Sequence, residues 1–254
     1  MTDSTNEKIN LKVVYMLTSV AALGGLLFGY DTAVISGVIG LLETKFELTA
    51  SMKGWAASSA IVGCIFGAMF AGGASDKWGR KKVLMVTAIL FGISGIASAI
   101  PNNLTEFTIA RFIGGLGIGA ASMLSPLYIT ELAPASIRGR LVSLYQLAIV
   151  LGILLIFFVN LLIQGMGDEA WNVDIGWRYM LGSGVIPAIL FWIAIFFVPE
   201  SPRWLMKAGR EDEALVILQK INGHHSGLEI QREIRETLGE ENGTLRELFS
   251  GTFR

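Results

Sequence analysis

Two charged residues stand inside stretches otherwise made of apolar and small side chains. Asp31 lies in LGGLLFGYDTAVISG, residues 23–37, and Arg111 lies in TIARFIGGLGIGA, residues 108–120. A charge at the centre of a membrane span costs about 2.5–3.5 kcal/mol on insertion scales, so each needs a reason and a partner. The chemistry open to such a pair is a protonation switch. In general, removal from water favours a neutral carboxylic acid, and a neighbouring guanidinium favours the carboxylate. A motion that joins or parts the two would take up or release a proton, as coupling to a proton gradient requires. The pair could equally serve only to fix how helices assemble.

The elements that must position these charges are apolar runs near the ~20 residues needed to cross a bilayer. They fall near 13–39, 54–74, 83–101, 105–128, 141–165 and 178–198. The first is too long for a signal-peptide core and is followed by no cleavage site, so it reads as a true span. Spans 1 and 4 run in opposite directions. At 1.5 Å per residue, Asp31 lies roughly 12 Å from the outer end at 39, and Arg111 roughly 9 Å from the outer start at 105. The matching depths make Arg111 the expected counter-ion of Asp31.

The composition agrees with a membrane protein. Of 254 residues, 52% are hydrophobic and only 16% charged, with mean hydropathy +0.57, against roughly 25% charged in soluble domains. A net charge of −1 without a basic block gives no sign of nucleic acid. Basic residues crowd one side: Lys8, Lys12, Lys77, Arg80, Lys81, Lys82, Arg138, Arg140 and a tail from Arg203 to Arg254. The other side holds Lys45, Lys53 and Arg178. The positive-inside rule therefore puts both termini in the cytoplasm.

After FFVPESPRWL the sequence turns polar with helical periodicity. Ala214, Leu215, Leu218 and Ile221 form one stripe and Ile230, Ile234 and Leu238 another, with a turn expected over 222–227 that holds His224 and His225. These read as amphipathic helices against the ends of the spans. The lone Cys64 reads as a packing residue, Asn103-Leu104-Thr105 as a chance glycosylation match, and the glycine pairs within spans as sites of close helix packing. No Ser/His/Asp set, metal cluster or phosphate loop occurs, so neither an enzyme, a metal nor a cofactor is expected.

Four motifs carry a resemblance. They are GGLLFGYDTAVISG in span 1, GGASDKWGRKK at 72–82, RFIGGLGIGAASMLSPLYITELAPASIRGRLVSLYQL at 111–147, and PESPRWL at 199–205. In this order and spacing the chain resembles the sugar porter family of the major facilitator superfamily, most closely its bacterial proton–xylose symporter branch. The resemblance implies an all-α membrane protein, the N-terminal half of that fold. Residues 1–12 would be cytoplasmic, 13–198 would form six transmembrane helices in a 3+3 repeat, and 199–254 would be a cytoplasmic helical linker toward a second half.

It further implies alternating-access transport of a monosaccharide, a pentose such as xylose or a hexose such as glucose, coupled to protons across the plasma membrane. A facilitative uniporter, or a six-span fragment with no transport of its own, are the alternatives. Asp31 matches the proton-coupling carboxylate and Arg111 its partner. Gln146 matches a sugar-binding glutamine and Phe28 an aromatic near the sugar. Ile153 stands where the xylose carriers have a polar residue and glucose carriers an isoleucine. Asp76, Arg80, Glu131, Arg138, Glu200 and Arg203 match charges that latch the cytoplasmic gate. The implied partners are the sugar, the proton, the bilayer and a C-terminal six-helix half.

Overall fold

The computed structural model describes residues 9–240, all of whose regular structure is helical. Lys8, Arg246 and Arg254 lie outside the described residues. Five long helices come first: α1 (Leu11–Phe46), α2 (Ala50–Trp78), α3 (Arg80–Ala99), α4 (Leu104–Leu132) and α5 (Arg138–Gln164). A sixth span is built from pieces: α6 (Glu169–Trp171), a π-helical turn over Asn172–Gly176, α7 (Trp177–Gly182) and α8 (Val185–Phe196). Three short helices follow: α9 (Pro202–Lys207), α10 (Glu211–Asn222) and α11 (His224–Glu240).

The helix ends follow from local chemistry. Asn10, Thr49 and Asn103 cap α1, α2 and α4, each accepting a backbone N–H three residues on. Glu106 returns the contact at α4 by accepting the N–H of Asn102 at 3.0 Å, so two otherwise orphaned donors are satisfied at once. The turn between α2 and α3 is a single residue, Gly79, at φ +97°, a conformation that favours glycine. A Cβ there would also run into the Glu200 carboxylate.

Helix α2 packs along α4, and α5 along α1. Both contacts depend on glycine. A Cβ on Gly63, Gly67, Gly115 or Gly119 would fall on a backbone carbonyl of the facing helix, and the same holds for Gly25, Gly29 and Gly152 between α1 and α5. The remaining spans, α3 and the broken sixth, pack on α4 and α1 and against each other. Exchanging spans 1–3 with 4–6 leaves this contact pattern unchanged, as a 3+3 repeat requires. Outside, Ile65, Phe70, Leu154, Phe158, Leu162 and Phe197 are exposed. In water so much exposed apolar surface would aggregate; a bilayer can cover it.

Three expectations are corrected. Helix α1 runs to Phe46, past the predicted end at 39, because Leu41, Leu42 and Phe46 continue the apolar packing. The sixth span starts at Glu169, earlier than predicted, and breaks at Ser183–Gly184. Pro187 explains the break: it lacks an N–H and its ring excludes the carbonyl four residues before it. The turn expected at 222–227 shrinks to Gly223 at φ +92°, and His224 and His225 open α11 instead. The tail stripes do turn inward. Ala214, Leu218 and Ile221 are buried, and Ile234 and Leu238 pack on Leu205 and Met206. At the exposed start of α10, the hydrogen bond from Arg210 holds the Glu213 carboxyl below its ordinary value.

Candidate functional site: a buried ion pair and a charged network

Helices α1 and α4 bring the two intramembrane charges together. Arg111 donates from Nη1 to Asp31 Oδ1 at 2.7 Å and from Nη2 to the Asp31 backbone carbonyl at 3.2 Å. The arginine is buried, and the Asp31 side chain keeps 18% of its surface exposed. The pair forms although α1 extends seven residues beyond the end from which depth was counted, so that Asp31 lies fifteen residues from Phe46 while Arg111 lies seven from Leu104. Satisfaction is incomplete. Asp31 Oδ2 and Arg111 Nε are both buried without a hydrogen-bond partner. Buried polar atoms in folded proteins are almost always bonded, so these two, like the Asn160 amide elsewhere among the described residues, are open to a further partner such as water.

The other predicted site residues lie on α1 and α5. Gly29 approaches the backbone of Ile149 and Ile153 so closely that a Cβ would not fit, which sets Ile153 beside the turn of α1 that carries Phe28 and Asp31. Phe28 is half-buried against the core. Gln146 sits two turns earlier on the same face of α5 and is exposed, its amide engaged by no hydrogen bond among the described residues. Asp31 and Arg111 are thus in contact and Phe28 and Ile153 are at their level, whereas Gln146 stands apart from them.

The second constellation joins the ends of α2, α3 and α4 on the basic side. Arg80 is its hub. Nε and Nη2 donate to the Glu131 carboxylate at 2.9–3.2 Å, while Nη1 donates to Asp76 Oδ1 at 2.8 Å and to the Ser75 carbonyl at 3.1 Å. The Arg80 and Glu131 side chains are only 8% and 5% exposed. Glu131 therefore turns to Arg80, and Arg138 donates to the Ala133 carbonyl at 3.4 Å. The planar fork of Arg80 satisfies both carboxylate oxygens at once, which a more distant arginine does not.

Glu200 accepts the backbone N–H groups of Arg80, Lys81 and Ser201 at 2.9–3.0 Å. A carboxylate at the first turn of α3 satisfies orphaned donors and opposes the positive end of the helix dipole. Arg203 lines a cavity of about 640 Å³ beneath the network, together with Asp76, Arg80, Glu131, Arg138 and Lys207. Three members were missed from sequence. Lys207 reaches Asp76 at 3.2 Å, Trp204 Nε1 donates to the Asp76 carbonyl at 2.9 Å, and the Tyr128 hydroxyl donates to the Pro199 carbonyl at 2.6 Å. All three lie beside or within the quoted motifs, which was the available signal.

At the opposite end, Lys45 pairs with Asp174 and Lys53 with Glu43. Arg178 donates to the carbonyls of Ala99 and Pro101, closing the C-terminal end of α3. Every basic residue assigned to that side is thereby neutralised or bonded locally. Among the described residues no group of three or more His, Cys, Asp or Glu could hold a metal ion.

Comparison with known proteins agrees with this fold. The family model described as sugar (and other) transporter matches residues 17–254. The arabinose-proton symporter of Bacillus subtilis is 48% identical over 242 residues, covering 95% of this chain and 52% of that protein. The D-xylose-proton symporter of Escherichia coli K12 is 44% identical over 259 residues, covering 92% and 53%. A solved structure of the major facilitator proton:xylose symporter XylE, bound to 6-bromo-6-deoxy-D-glucose, superposes with a TM-score of 0.89 at 45% identity, over 91% of this chain and 54% of that one. The chain spans about half the length of the curated relatives it matches.

Proposed function

This chain belongs to the sugar transporter family, as a multi-pass membrane protein with the N-terminal-half fold of a major facilitator, and we propose that it supplies one half of a proton-coupled monosaccharide carrier. The carrier sits in the plasma membrane with its basic side in the cytoplasm. Asp31 receives the proton, Arg111 competes with that proton for the carboxylate, and Gln146, Phe28 and Ile153 face the sugar. A pentose or hexose offers several hydroxyls, and the Gln146 amide can both donate to and accept from them. The charges around Arg80 latch the inner gate when the carrier faces outward. Arabinose and xylose, carried by relatives, are the first substrates to test.

The observation that carries the reading is the 2.7 Å pair with one carboxylate oxygen left unbonded inside a span. Protonation of Asp31 would weaken its hold on Arg111 and so bias the packing of α1 against α4, a change that distinguishes two conformations. One proton crossing ~100 mV releases about 2.3 kcal/mol. At 1.4 kcal/mol per tenfold, that sustains roughly fifty-fold accumulation before any pH gradient is counted.

The test is uptake of labelled arabinose or xylose into proteoliposomes that hold this chain with a C-terminal six-helix half. Acid outside and negative potential inside drive accumulation in the parent. Asp31→Asn abolishes uphill uptake and keeps downhill exchange. Accumulation by Asp31→Asn equal to the parent's overturns the proposal in favour of uniport.

A further inference from the structure

A groove of about 500 Å³ runs between α2 and α3 above α4. Its floor is small side chains, Gly67, Ala71 and Ala120, and its walls are Phe70 and Trp78 on α2 and Val86 on α3. Phe70, Trp78 and Val86 are all more than half exposed. The lining contains one hydroxyl, on Thr87, and it is spent on the Leu84 carbonyl at 2.7 Å. Nothing inside the groove can hold a polar ligand.

Its length and its charge say what it can hold. From Phe66 to Trp78 the trough follows α2 for about 18 Å at 1.5 Å per residue, against about 15 Å for one leaflet of a ~30 Å hydrocarbon core. It opens on the basic side, where Lys82 stands at the rim and Lys77 lies over the Trp78 ring, 5.7 Å from its centroid. No carboxylate lines the groove, and neither lysine forms an ion pair with a described residue. Asp76, the nearest acid in sequence, is engaged by Arg80 and Lys207.

We propose that this groove seats one acyl chain of an anionic phospholipid from the leaflet on the basic side, with the phosphate held at Lys82 and Lys77. The apolar trough takes any acyl chain; the two lysines select the headgroup. Each basic residue near a membrane surface favours an anionic lipid by about fivefold. The small floor residues let the chain lie close to α4, and Trp78 sits at the depth where an indole bridges hydrocarbon and headgroup. The site is separate from the Asp31–Arg111 pair and does not depend on what the carrier moves.

Native mass spectrometry tests it, on the chain released from mixed micelles holding equimolar phosphatidylglycerol and phosphatidylcholine with the same acyl chains. The expected result is one retained phosphatidylglycerol, preferred about 25-fold for two lysines at about fivefold each. Lys82→Gln lowers that preference to about fivefold, and Ala74→Trp, which fills the trough, loses the retained lipid itself. Circular dichroism reports whether each variant is folded. A second measurement needs no groove-filling variant: brominated-chain phosphatidylglycerol quenches indole fluorescence of the chain more than that of Trp78→Phe. Equal retention of both lipids, an unchanged preference in Lys82→Gln, or quenching that is indifferent to Trp78 overturns the proposal.

Discussion

At the scale of single residues, the two buried ion pairs differ in how completely they are satisfied. Arg80 and Glu131 share three hydrogen bonds, and Arg80 adds Asp76 and Ser75. Arg111 and Asp31 leave an oxygen and a nitrogen idle. A fully satisfied buried network is held rigidly, and the Asp31–Arg111 pair has fewer bonds holding it. Removing one partner of a buried pair strands the other charge and typically costs about 3–5 kcal/mol. Glu131→Gln should therefore lower the unfolding temperature in detergent clearly, whereas Arg138→Gln, whose side chain meets only a carbonyl at 3.4 Å, should shift it little. Equal shifts would show that the pairing is not the one described. At the other pair, Arg111→Gln should destabilise the chain and the double change Asp31→Asn with Arg111→Gln should restore most of the loss, as thermal unfolding of the purified variants would report.

At the scale of helices, the glycines decide which surfaces slide. In lipid, helix contact is driven by close packing of small residues rather than by burial from water. A Cβ on Gly29 would fall on the Ile149 carbonyl and one on Gly152 on the Leu26 carbonyl, both rigid backbone. Gly29→Ala should push α1 from α5 and cost on the order of 1–3 kcal/mol by overpacking. Gly73, on α2, has nothing within 4 Å of its Cβ position, and Gly73→Ala should be neutral or gain up to about 1 kcal/mol of helix propensity. Thermal unfolding of the two variants side by side separates them, and a neutral Gly29→Ala would refute the close α1–α5 contact. The broken sixth span adds a softer joint. Ser183, at the break, bonds the Tyr30 hydroxyl at 2.7 Å and so ties that joint to the residue before Asp31.

At the scale of the molecule, the proposed carrier would use this chain as one wall of a cleft. Gln146 is exposed and the cavity beneath Arg80 is open, and the solved relative it superposes on is nearly twice as long. In major facilitators the substrate sits near the midplane between two such halves. The six-helix chain reconstituted alone should therefore carry no sugar flux above protein-free liposomes, and addition of a matching second half should restore it. Flux through the chain alone would mean that two copies build a complete cleft.

Six spans and the Asp31–Arg111 contact were legible in the sequence. Bilayer thickness, the cost of buried charge and the distribution of basic residues are one-dimensional constraints, readable from order and spacing. The fold supplied what depends on side chains meeting across helices. Glu131 took Arg80 rather than Arg138, because the Gly79 turn aims the Arg80 fork at it while Arg138 sits beyond the Ala133 corner. Glu200 became a cap for α3 for the same reason, since its contacts are to backbone N–H groups that no spacing rule locates. The unbonded oxygen of Asp31 is also a product of packing. Spacing can predict that two charges meet; only the arrangement of every neighbour determines which of their atoms is left over.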